Sequence, residues 1–128
     1  RAINPDFAVL SGDDALTLAL SALGGDGVIS VISNIAPREV TELATAALSG
    51  NFVRARELHY RLLPAFKAAF IETNPVPIKA AMNMKRLPAG SLRLPLAPLA
   101  KENEAKVYEA FRQAGILGPE DLQGGTFC

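Results

Sequence analysis

The sequence predicts an α/β protein, and three observations carry that prediction. Two short apolar runs rich in β-branched residues, 7–11 and 28–33, flank an alanine- and leucine-rich run, 15–23, with no helix breaker in it. Phe7 and Gly27 lie 20 positions apart, the length of a compact strand–helix–strand unit with parallel strands. From Asn34 onward the spacing of apolar residues is helical.

Each element follows from its residues in order. Gly12-Asp13-Asp14 is a turn signal after the first strand, and Asp13 or Asp14 is placed to cap the helix over 15–23, which Gly24 stops. Gly24-Gly25-Asp26-Gly27 bounds the second strand, 28–33. Pro37 suits a first helical position, with Glu39 and Glu42 in the opening turns. Val40, Leu43, Ala44, Ala47 and Leu48 mark that helix's apolar face, and Gly50 ends it. Asn51 caps a longer helix with Ala55, Leu58, Leu62, Phe66, Ala69 and Phe70 on one face; Pro64 inside it is expected to kink it or remove one hydrogen bond. Asn74-Pro75-Val76-Pro77 breaks the chain before a short helix over 78–87. Pro95 and Pro98 make 92–99 an extended connector rather than a strand. A last helix over 101–114 carries Val107, Ala110, Phe111 and Ala114 inward and stops at Gly115, leaving 118–128 as a loose tail.

Composition narrows the function classes. At 128 residues and 49% hydrophobic content, the chain is one globular domain's worth and not disordered. Thirteen basic and thirteen acidic residues cancel, which speaks against nucleic acid or an anionic membrane as partner. The one cysteine, Cys128, has no internal partner for a disulfide. No apolar run reaches the roughly 18 residues of a membrane helix and no signal peptide opens the sequence, so a soluble, cytoplasmic protein is expected. Two parallel strands, apolar on both faces, leave unpaired edges beside apolar surface and cannot form an independent sheet. Partner strands are therefore expected upstream or in another subunit. Arg1 in place of an initiator methionine fits a C-terminal piece of a larger α/β protein.

Few residues stand out chemically. Gly12, just past a strand's C-terminal end, permits close approach of a ligand, although taken alone an ordinary strand-to-helix turn with an aspartate cap is the better explanation. His59 is the only histidine and has no carboxylate or cysteine at ligand spacing, so it reads as a packed or surface residue. Glu102 and Glu104 open the last helix as dipole-matching charges. Lys79 lies among apolar residues, where burial can make a lysine a Schiff-base nucleophile. Its place three residues past a breaker favours a structural tie to a carboxylate or a neighbouring chain segment. No phosphate loop, dinucleotide fingerprint, nucleophile elbow or zinc spacing occurs.

Four segments taken together resemble one family: Leu10-Ser11-Gly12-Asp13-Asp14; Gly24-Gly25-Asp26-Gly27-Val28-Ile29-Ser30-Val31; Glu72-Thr73-Asn74-Pro75-Val76-Pro77-Ile78-Lys79-Ala80-Ala81; and Leu92-Arg93-Leu94-Pro95-Leu96. In order and spacing they are similar to the C-terminal part of the dihydrodipicolinate synthase family, over residues from about 5 to 117. The resemblance implies an eight-stranded α/β (TIM) barrel followed by a helical extension. Residues 1–50 would hold the last two strand–helix units, 51–117 the extension and 118–128 the tail. It also implies a pyruvate-dependent lyase of lysine and diaminopimelate biosynthesis that condenses pyruvate with L-aspartate-4-semialdehyde through a lysine Schiff base, with no metal or organic cofactor. The family's Schiff-base lysine, tyrosine relay and semialdehyde-binding arginine all fall before position 1. What carries over is Ile29, matching the residue whose backbone contacts pyruvate, and Gly12 with Asp13, matching the turn at the mouth of the site. The implied partners are the N-terminal part of the barrel and further copies of the chain, as a tetramer or dimer. Alternatives are a sister Schiff-base aldolase for a sugar acid or hydroxy-oxo acid, and a non-catalytic interaction module.

Overall fold

Asp13 begins the first helical turn: its side chain accepts from the Ala15 N–H at 2.8 Å, in a computed structural model that describes Asn4 and residues 6–123. Its neighbour Asp14 is fully inside. A 3-10 turn, Asp14–Leu16, runs into helix α1, Thr17–Ala22, so the helical run expected over 15–23 is divided in two. Gly24, at φ 91°, takes the left-handed conformation that ends it. The next glycine, Gly25, is required by close packing, since a Cβ there would stand 2.7 Å from the Leu20 Cγ.

Strand β1, Leu10–Ser11, pairs in parallel with β2, Gly27–Val28, with Leu10 opposite Gly27 and Ser11 opposite Val28. The parallel unit is as expected, but both strands are shorter than 7–11 and 28–33. Flanking bonds from Asp26 N–H to the Val9 carbonyl at 2.7 Å and from Ile29 N–H to the Ser11 carbonyl at 2.8 Å extend the pairing by one step at each end. Beyond Ile29 the chain leaves the ladder and winds into a 3-10 turn, Ile32–Asn34.

The helices follow their caps. Helix α2, Pro37–Leu48, starts with proline in its first turn; α3, Phe52–Ala68, is capped by Asn51 Oδ1, which accepts from the Arg54 N–H at 3.2 Å. Helix α3 continues through Pro64. Helix α4, Val76–Met84, begins two residues earlier than expected, because Pro77 is accommodated in the first turn where its missing N–H costs no bond. Helix α5 is Lys101–Gln113. Residues 92–99 contain no strand or helix. The expected loose tail is partly ordered: Pro119–Gln123 forms a 3-10 turn, the Gly118 N–H donates to Asp121 at 2.7 Å, and Tyr108 Oη donates to the Gly118 carbonyl. Arg1 and Cys128 lie outside the described residues.

One apolar cluster joins these helices, with Leu43 from α2, Leu58, Leu62 and Phe66 from α3, and Val107 and Phe111 from α5 at its centre. Two faces need correcting. Ala46 is buried in α2 while Leu48, its last residue, is exposed. Phe70 is likewise exposed, because α3 ends at Ala68 and the residue no longer follows the helical phase. In the strand–helix–strand unit Phe7, Leu10, Leu16, Leu23 and Ile29 are all exposed, as Phe52, Val53 and Leu94 are in the helical part.

Candidate functional site

In α/β proteins the strands' carboxyl ends are where ligands meet the scaffold. The parallel register brings the loop after β1 and the loop after β2 to that same end. They are joined directly, since the Ile29 N–H donates to the carbonyl of Ser11, the residue before Gly12. The three residues carried over from the sequence thus lie on adjoining loops. Gly12 and Asp13 are exposed, and Ile29 is exposed to 67%.

The β1 loop is braced from within. Ser11 is buried; its Oγ donates to the Asp13 carbonyl at 2.7 Å and accepts from the Asp13 N–H at 3.2 Å. Asp13's carboxylate is engaged at the helix start, so it faces the loop as a cap. Gly12 has open space around it: an added Cβ would meet nothing within 4 Å.

The β2 loop is held by the second member of the Asp13-Asp14 doublet. Asp14, 1% exposed, accepts from the Ser30 hydroxyl, from the Val31 N–H at 2.9 Å and from the Ile32 N–H at 3.4 Å. Ser30 Oγ accepts in turn from the Ser33 N–H at 2.8 Å. A buried carboxylate is tolerable only when donors surround it, and these three supply them. The same bonds pull Val31 and Ile32 out of the strand ladder, which is why β2 ends early.

Lys79, weighed above as a nucleophile, donates from Nζ to the Ser91 carbonyl at 2.6 Å, tying α4 to the connector. His59 sits on α3 against the rings of Tyr60 and Phe66, with Nδ1 buried and without a hydrogen-bond partner. Burial holds its pKa below the ordinary value. Among the described residues no three His, Cys, Asp or Glu side chains cluster to hold a metal ion. No helix among them is long and apolar enough to cross a membrane.

Residues 1–114 match the profile of the Dihydrodipicolinate synthetase family. The chain belongs to this family. It is 59% identical over 112 residues to the 4-hydroxy-tetrahydrodipicolinate synthase of Methanothrix thermoacetophila, covering 88% of this chain and 38% of that one. The crystal structure of the dihydrodipicolinate synthase from Aquifex aeolicus superposes with a TM-score of 0.82 at 50% identity, over 88% of this chain and 39% of that one. The chloride-inhibited synthase of Acinetobacter baumannii, complexed with pyruvate, superposes with a TM-score of 0.82 at 38% identity, over 91% and 40% of the two chains. The chain thus spans about 38% of the length of the curated relatives it matches. Its two parallel strands and helices are the fold of the C-terminal part of these synthases' α/β barrel, as the family resemblance implied.

Proposed function

We propose that this chain is the C-terminal part of a lyase that condenses pyruvate with L-aspartate-4-semialdehyde, with residues 1–50 closing the barrel and 51–117 forming the helical extension. The observation that carries the reading is the Ile29–Ser11 bond at 2.8 Å, which holds both carried-over loops at the ligand end of the parallel strands. Membership of the synthase family and the pyruvate complex of the Acinetobacter relative support it.

The chemistry divides between two parts of the enzyme. In the upstream part, a lysine amine would condense with the keto carbon of pyruvate, losing water, and the resulting enamine carbon would attack the aldehyde before the adduct cyclises. This chain would supply backbone. Because the Ile29 N–H is committed to Ser11, its contact with bound pyruvate falls to the carbonyl. A carbonyl oxygen offers negative charge density to a protonated Schiff base, and a fixed dipole needs no reorganisation as that charge develops. The Gly12–Asp13 turn would border the mouth. The intact enzyme would assemble as a homo-oligomer.

The test is the condensation assay on the whole gene product, with pyruvate and either L-aspartate-4-semialdehyde or a panel of sugar-acid aldehydes. Turnover with the semialdehyde well above the others is expected. Preference for a sugar acid or hydroxy-oxo acid would replace this reading with a sister aldolase, and no Schiff base with pyruvate would leave the interaction-module reading standing.

A further inference from the structure

We infer that Asp14 is a positioning residue for pyruvate, acting through the backbone of Ile29; the inference rests on the lyase reading above. Five consecutive residues are tied down in the segment after β2. The Ile29 N–H is held by the Ser11 carbonyl at 2.8 Å. Ser30 is held through its hydroxyl on Asp14, and Val31 and Ile32 through their N–H groups on the same carboxylate, at 2.9 and 3.4 Å. The Ser33 N–H closes on Ser30 Oγ at 2.8 Å. The segment is therefore anchored immediately before and immediately after the Ile29 carbonyl, and that carbonyl receives no donor from the described residues.

A carbonyl's direction is set by the peptide plane it shares with the next residue. That next residue is Ser30, and although its bond to Asp14 is made by the side-chain hydroxyl, that bond and the Ile29 N–H bond to Ser11 bracket the peptide and limit how far the Ile29 oxygen can tilt. Asp14 is itself immobilised. It is 1% exposed, and its own carbonyl accepts from the buried Thr17 hydroxyl at 2.8 Å at the start of α1. A helix start thus aims a strand-end carbonyl through a carboxylate that never reaches the ligand. Charge-assisted bonds to a buried carboxylate are strong enough for this work, and losing one costs roughly tenfold in an equilibrium it controls.

The experiment uses the whole gene product carrying Asp14→Asn and, separately, Ser30→Ala. Asparagine keeps the shape but presents an amide N–H₂ where one carboxylate oxygen stood, so either the Ser30 hydroxyl or the Val31 and Ile32 N–H groups, which share Oδ2, lose their acceptor, and the remaining bonds lose their charge assistance. Steady-state kinetics with both substrates, borohydride trapping of pyruvate and amide exchange over 29–33 are measured on folded protein. Expected is a rise of about tenfold in the KM for pyruvate, with the KM for the aldehyde substrate unchanged, slower trapping and faster exchange at Val31 and Ile32. Ser30→Ala should raise the KM for pyruvate and slow trapping in the same way, with the faster exchange falling at Ser33, whose N–H loses the Ser30 Oγ, rather than at Val31 and Ile32. If Asp14→Asn fails to fold, Ser30→Ala alone decides, because both backbone donors stay on the carboxylate. A lower Tm with an unchanged KM for pyruvate would overturn the inference and make Asp14 a purely structural anchor. Failure of the unsubstituted protein to trap pyruvate would instead overturn the lyase reading.

Discussion

A buried imidazole nitrogen without a partner makes His59 sensitive to pH. Its pKa is held below the ordinary 6.5 by burial, so the unfolded chain takes up a proton before the folded one does. His59 therefore contributes its full share of stability above about pH 6.5, and that share is lost as pH falls below it. Tm measured from pH 7.5 to 5 should drop on the acid side, and His59→Leu should flatten that drop; an equal slope in the variant would show that other groups cause it. The sequence placed His59 on a helix without ligand spacing, which is as much as its neighbours reveal. Asp14 was harder to read. One member of the Asp13-Asp14 doublet was legible as a cap, but the donors of the other lie 16 to 18 positions away. Nothing local announces a pairing at that separation.

The helices were the most legible elements, because their caps and stops are local chemistry: Asn51 caps α3, proline opens α2, and Gly50, at φ 77°, follows its end. The early end of the second strand is not legible in the apolar pattern, because 28–33 is uniformly apolar apart from its serines. Those serines were the available clue. Ser30 and Ser33 are three apart, which puts them on opposite faces of a strand but on one side of a 3-10 turn. The Ser33 hydroxyl does donate to the Ser30 carbonyl, at 3.0 Å. The start of α5 hid a long-range cap. Glu72, in the loop before α4, accepts from the Ala100 N–H at 3.0 Å and from Asn103 Nδ2 at 2.8 Å, supplying an acceptor that Ala100 itself lacks. Glu72→Ala should cost about 1–2 kcal/mol in denaturant unfolding, the usual worth of a cap with charge assistance. Glu72→Gln, which keeps the acceptor, should cost less than half of that. Equal stability of all three proteins would contradict the role assigned to this bond.

The buried core is built mainly from the helices, and the strand–helix–strand unit leaves five large apolar residues to water: Phe7, Leu10, Leu16, Leu23 and Ile29. The sequence pointed to this through the unpaired-edge argument, although only family resemblance said what kind of sheet the strands belong to. Several hundred Å² of such surface, at about 25 cal/mol per Å², amounts to roughly 5–10 kcal/mol, comparable to a domain's whole stability. Prepared alone, the 128 residues should self-associate, or bind a separately prepared N-terminal barrel portion, in sedimentation at micromolar concentration. A strictly monomeric species with a sharp thermal transition would contradict this.

The division of labour between this chain and the strands before it is tested most directly by borohydride reduction with pyruvate, followed by peptide mapping, on both the 128-residue chain and the whole gene product. The account predicts a pyruvyl adduct on one lysine of the whole protein, outside this sequence, and none on Lys67, Lys79, Lys85, Lys101 or Lys106 in either sample. An adduct on Lys79, whose Nζ is bound to the Ser91 carbonyl, would contradict it.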